Sequence, residues 1–133
     1  MAMITYWDSS AIVAASIDRP VRERLSQPNQ CTRSHTLAEV FSILTGGRLG
    51  YRVDADDAQE ILADMSKHLS FSDLTSDEVL SALDEARKKG IRGGQVHDYL
   101  HAVAALKANA SVFLTLNTSD FKGIFEQLEL KEP

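Results

Sequence analysis

The chain has 133 residues, 44% of them hydrophobic, and a net charge of −5, which fits one globular domain over residues 1–133 and, taken alone, argues against nucleic-acid binding, although a cation bound among the acids would reverse the local sign. No apolar run approaches the ~20 residues of a membrane-spanning helix. The single cysteine, Cys31, excludes an internal disulfide or a cysteine-built metal site, and the opening Met1-Ala2-Met3-Ile4 lacks the basic stretch of a signal peptide, so a cytoplasmic protein is expected.

In chain order, residues 3–7 are β-rich and predict a first strand. Residues 10–17 are small and apolar, a short helix closed by Pro20, and residues 21–25 form another, ended by Pro28-Asn29. Residues 31–33 predict a brief strand. The spacing of Leu37, Val40, Phe41 and Leu44 predicts a helix over 36–44, ended by Gly46-Gly47. A second long helix runs over 54–68 with Ala58, Ile61, Leu62 and Met65 inward. Alternation over 69–74 predicts a strand.

Thr75 then caps a helix reaching Lys89, with Asp77 and Glu78 in its first turn and Lys88 and Lys89 in its last, charges that complement the helix dipole. Gly93-Gly94 opens a helix over 95–109. Residues 111–116 are the clearest buried strand, and 125–130 add a short final one. Strands alternating with helices imply an α/β fold in which a short central parallel sheet is flanked by helices on both faces. The site of such a sheet lies at the carboxyl ends of its strands.

Asp8, Glu39, Asp98 and Asp120 each stand at a helix start or a turn, just beyond a strand or early in a helix. Each has a structural explanation of its own. Asp8 or Ser9 can cap the helix that follows. Thr36-Leu37-Ala38-Glu39 fits a capping box, as does Thr75-Ser76-Asp77-Glu78. Asp98 suits the first turn of a helix, although its flanks are apolar enough to bury it and no adjacent partner is visible. Asp120 suits a polar turn with Asn117, Thr118 and Ser119.

Their joint placement points elsewhere. Carboxylates that meet at one sheet edge repel one another, and a divalent cation relieves the repulsion. His97 and His101 share a helix face at i, i+4, but the glutamate of a His-Glu-x-x-His zinc motif is missing, so packing or hydrogen bonding is expected of both.

These segments resemble the PIN-domain ribonucleases, specifically the toxins of VapBC-type toxin–antitoxin pairs. Trp7-Asp8-Ser9-Ser10-Ala11-Ile12-Val13 is similar to the family's Asp-x-Ser opening. Ser34-His35-Thr36-Leu37-Ala38-Glu39-Val40 is similar to its second acidic segment, and Gly93-Gly94-Gln95-Val96-His97-Asp98-Tyr99-Leu100-His101-Ala102 to its third. Thr115-Leu116-Asn117-Thr118-Ser119-Asp120-Phe121 resembles its final block, with Asn117 where many relatives carry Asp. The blocks span nearly the whole chain in the family's order.

The resemblance implies a PIN-like fold and a Mg2+- or Mn2+-dependent endoribonuclease. Asp8, Glu39, Asp98 and Asp120 are the implied catalytic and metal-binding acids, with Ser10, Thr115 and Asn117 in support. It also implies an RNA substrate, a small cognate antitoxin and a homodimer, with no membrane partner. Arg33, Arg48, Arg52 and Arg92 are candidates for gripping RNA by chain proximity. The alternative is a catalytically silent binding module of the same fold for RNA or protein, at which Asn117 in place of an acid hints.

Overall fold

The structure, a computed structural model, describes residues 3–133; the N-terminal reading at Met1 and Ala2 lies outside the described residues. Five short strands make one sheet: β1 (Thr5–Trp7), β2 (Gln30–Thr32), β3 (Ser70–Phe71), β4 (Val112–Leu114) and β5 (Glu129–Lys131). Their order is β3-β2-β1-β4-β5 and every neighbouring pair is parallel. Parallel neighbours require crossovers, and the helices supply them. They are α1 (Ser9–Ile17), α2 (Arg19–Leu25), α3 (Ser34–Thr45), α4 (Ala55–Ser66), α5 (Ser76–Lys88), α6 (Gln95–Lys107) and α7 (Thr118–Phe121).

Side chains alternate across the two central strands, as pleating demands. Trp7, Val112 and Leu114 face a core built with Ala11, Ile12 and Ala15 of α1, Val40 and Leu44 of α3, and Ala58, Leu62 and Met65 of α4. Tyr6 and Phe113 face the opposite core, with Ala102, Ala104 and Ala105 of α6, Phe121 and Leu128. There Tyr6 stacks on Phe113 at 5.4 Å between centroids and Phe113 meets Phe121 at 4.6 Å. A smaller cluster of Ala82, Ala86, Tyr99 and Leu100 joins α5 to α6. Helices on both faces thus bury both sides of the sheet, as the sequence pattern required.

Three expectations are corrected. The strand expected over 69–74 shrinks to Ser70–Phe71, both exposed, because β3 is an edge strand paired on one side; Leu69 and Leu74 pack against the cores instead. The polar turn at Asn117 is the start of a short helix, α7, whose Phe121 is buried. On α3, Phe41 lies outward at 37% exposure while Val40 and Leu44 are fully buried. The capping box at Thr75 and Glu78 is present in full.

Candidate active site

The sheet order reverses between β1 and β4, and the crevice beyond the carboxyl ends of those two strands is the natural site of such a fold. Asp8 is the first residue after β1 and Thr115 the first after β4. The Asp8 N–H donates to the Leu114 carbonyl at 3.1 Å, so the sheet itself sets its backbone. Its side chain caps α1: Oδ1 accepts the Ala11 N–H at 2.9 Å and the Ser10 hydroxyl at 2.7 Å. The capping explanation and the site explanation are therefore compatible, since one oxygen suffices for the cap.

Ser10 ties this turn to the next. Its Oγ accepts the Leu116 N–H at 2.9 Å and lies 3.3 Å from the Thr115 hydroxyl, which in turn accepts the Asn117 N–H at 3.0 Å. Thr115 is fully buried. The Asn117 side chain makes no cap bond to α7, and Asp120 sits exposed in that helix's first turn.

Glu39 does not close the capping box expected with Thr36. α3 begins two residues before Thr36, at Ser34, so Glu39 lies past the first turn. Its Oε1 is instead 2.9 Å from Nε2 of His101. His101 is 2% exposed, and its Nδ1 lies 2.8 Å from the Tyr6 hydroxyl. Burial raises the Tyr6 phenol well above its ordinary range, so the hydroxyl keeps its proton. The phenol can donate or accept, so the Tyr6 hydroxyl and the Glu39 carboxylate between them occupy both ring nitrogens of His101. A line Tyr6–His101–Glu39 thus joins β1, α6 and α3 beneath the crevice. The sequence reading assigned His101 to packing or hydrogen bonding and missed this hub. The available signal was its spacing: i+3 from Asp98, hence on the same helix face.

The acids feel one another's charge. The Asp98 carboxyl is raised, first by burial and next by the charge of Asp8, with Asp120 and Glu39 adding to it and His101 opposing. Asp8 is raised by burial, against hydrogen bonds from Thr115, Ser10 and Ala11. For Glu39 burial is the largest influence and would raise it, but the hydrogen bond and charge of His101, with His35 and Arg33, outweigh it and hold the carboxyl below its ordinary value.

The donors suit a hard divalent cation: carboxylate, hydroxyl and amide oxygens, with no thiolate. The acids act on one another through their charges without closing on a point. Among the described residues no three His, Cys, Asp or Glu side chains stand close enough to hold one ion. Glu39 is drawn toward His101, one Asp8 oxygen is committed to the cap, and Asp120 is out at the rim.

No family profile and no curated protein matches the chain in sequence. In structure it is similar to a chain of VapBC2 from Rickettsia felis, crystallised bound to a DNA fragment from the promoter. The TM-score is 0.71 and the identity 20%, over 98% of this chain and 99% of that one. It is similar to a chain of VapBC-1 from nontypeable Haemophilus influenzae, with TM-score 0.63 and 23% identity over 98% of both. PAE2754 from Pyrobaculum aerophilum gives 0.71 and 19%, over 98% of this chain and 90% of that one. At these identities the likeness is one of fold. This chain has the PIN-like α/β fold of those VapBC structures, a five-stranded parallel sheet flanked by helices, as the sequence resemblance implied.

Proposed function

We propose that the protein is a metal-dependent endoribonuclease and the toxin of a type II toxin–antitoxin pair, with Asp8, Glu39, Asp98 and Asp120 as its acidic centre. The observation that carries the proposal is the place of Asp8 at the carboxyl end of β1, where the sheet order reverses, together with an Asp98 carboxyl raised first by burial and then by the charges of Asp8, Asp120 and Glu39. A structural acid gains nothing from three like charges around it, whereas such crowding is expected where a cation belongs.

Asp8, Asp98 and Asp120 would hold Mg2+ or Mn2+, with Glu39 joining directly or through water. A bound cation supplies charge stabilisation at the scissile phosphate and lowers the pKa of a bound water. The chain's own part is orientation. Ser10 and the Ala11 N–H fix the Asp8 carboxylate, Thr115 and Asn117 shape the opposite wall, and the Tyr6–His101 pair sets the reach of Glu39.

Purified protein, free of any partner, is to be incubated with structured RNAs with and without Mg2+ or Mn2+. Cleavage that needs the metal and vanishes in Asp98→Asn supports the reading. A second reading, a silent binding module of this fold, is favoured by the open spacing of the acids and by Asn117. RNA binding with no cleavage under any divalent cation would establish it. The toxin assignment draws support from the fold shared with chains of VapBC complexes. It predicts a small neighbouring protein that co-purifies with the chain and suppresses cleavage; a neighbour that binds without suppression would defeat it while leaving the nuclease reading intact.

A further inference from the structure

Beside the crevice, between α3 and the start of α6, the surface dips into a recess of about 270 Å3 lined by His35, Glu39, Ser42, Ile43, Arg48 and His97. Its composition runs against the rest of the chain. The protein carries a net charge of −5, yet apart from Glu39 the ionisable groups here are two imidazoles and a guanidinium. His35, Ser42, Arg48 and His97 are exposed. Among the described residues none of these four side chains makes a hydrogen bond or ion pair, whereas Glu39 is held from below by His101.

Local geometry explains how they meet. His35, Glu39 and Ser42 fall at i, i+4 and i+7 on α3 and form one stripe. His97 and His101 fall at i, i+4 on α6, so when His101 is buried against Glu39, His97 stands at the mouth on the same face. α3 ends at Thr45 with Gly46 as its C-cap, and Gly47, at φ +81°, reverses the chain and returns Arg48 to the recess. A side chain at position 47 would be strained at that φ, so the turn that delivers Arg48 relies on glycine.

We propose that this recess is an anion subsite for a phosphodiester of single-stranded RNA, the one neighbouring the phosphate held at the acidic centre. The proposal rests on the nuclease reading and names how an acidic chain holds a polyanion. A guanidinium can pair two phosphate oxygens at once, and imidazole N–H groups and the Ser42 hydroxyl supply further donors whether or not the rings are charged. Binding a nucleic acid requires a local cationic patch, and net charge does not forbid it. The recess gathers Arg48, His35 and His97 beside Glu39.

The test uses the Asp98→Asn chain in chelator, so that no RNA is cut, and follows binding of a labelled single-stranded oligoribonucleotide by fluorescence anisotropy across a range of salt. Adding Arg48→Gln with His97→Gln is expected to weaken binding about 10-fold, and to flatten the slope of log K against log salt by about 0.7 for each phosphate no longer neutralised. Arg87→Gln, on α5 and outside the recess, removes the same kind of charge and is expected to change neither quantity. Unchanged affinity and slope in the recess variants overturns the proposal. So does an equal loss in Arg87→Gln, which would make the effect one of overall charge, and so does competition by polyglutamate as strong as by RNA, which would assign the recess to an acidic protein. Cleavage by the chain with Asp98 intact is scored separately. Binding with the expected salt slope but no cleavage leaves the subsite and defeats the nuclease reading; cleavage with unaltered binding in the recess variants does the reverse.

Discussion

Asp8 and Asp98 feel each other's charge but differ in what else they do, and single substitutions separate the roles. Asp8 caps α1, so Asp8→Ala is expected to cost about 1 kcal/mol of stability, while Asp8→Asn keeps a good cap. Both should lose metal-dependent cleavage. Asp98 makes no cap and is raised by burial and by its acidic neighbours. A raised carboxyl binds its proton more tightly in the folded chain than in the unfolded one. Its favourable contribution is complete below the unfolded pKa and is lost as pH rises through the folded pKa. Asp98→Asn should therefore raise the melting temperature of the metal-free protein at neutral pH and lose that advantage on acidification. Calorimetry in chelator at both pH values checks this; a lower melting temperature at neutral pH would mean the carboxylate is a structural partner. Glu39 carries the opposite sign, since His101 holds it low: its contribution is present above the unfolded pKa and fades as pH falls through the folded value.

The buried line through His101 gives a further prediction at this scale. Tyr6→Phe leaves Nδ1 of a fully enclosed ring without a partner, at a cost of about 1–3 kcal/mol. It also frees His101 to turn, and Glu39 with it. Metal affinity should then fall by about 10–100-fold, the usual effect of losing an orienting partner. Denaturant unfolding reads the first quantity and a direct metal titration the second. Stability lost with metal affinity intact would confine Tyr6 and His101 to packing.

Among the elements, period and punctuation made the long helices legible. α3, α4, α5 and α6 each lie within about three residues of their expected bounds, because apolar spacing, Gly46-Gly47, Gly90 and the Thr75 cap all act locally. α7 and the shortness of β3 were not legible. Four polar-rich residues become helical only because Phe121 has a core to enter, and β3 shortens because only one of its edges is paired; both are decided by tertiary neighbours. Of the acids only Asp8 stands directly after a strand, and Glu39's partner lies 62 residues away, where no local pattern announces it. The stripes of α3 and α4 are spent on the interior, where Leu62 belongs to the same buried cluster as Val40, Leu44 and Met65. Leu62→Ala should cost about 2–5 kcal/mol, against less than about 0.5 kcal/mol for Leu80→Ala at an exposed position of α5. Denaturant midpoints of the two variants test the assignment.

For the molecule as a whole, that use of the α3 and α4 stripes changes where self-association must be sought. The resemblance implies a homodimer, and these two amphipathic helices are not free to form it, since most of their apolar residues lie in the core. The exposed apolar side chains of α5 are Leu80 and Leu83, at 64% and 39% exposure and one turn apart on the same face. Exposed leucines in pairs are a cost in water that an interface removes. The surrounding charges of α5 are satisfied within the helix, Arg87 and Lys88 pairing with Asp84 and Glu85, so an approaching second copy would not strand them. The proposed homodimer therefore predicts a concentration-dependent dimer by light scattering that Leu80→Lys with Leu83→Lys converts to monomer. Both positions are too exposed for the change to unfold the chain, and an unchanged melting temperature at low concentration verifies that. A wild-type chain that stays monomeric at high concentration contradicts self-association. A dimer indifferent to the two lysines places the interface on another face and leaves the α5 leucines without that role.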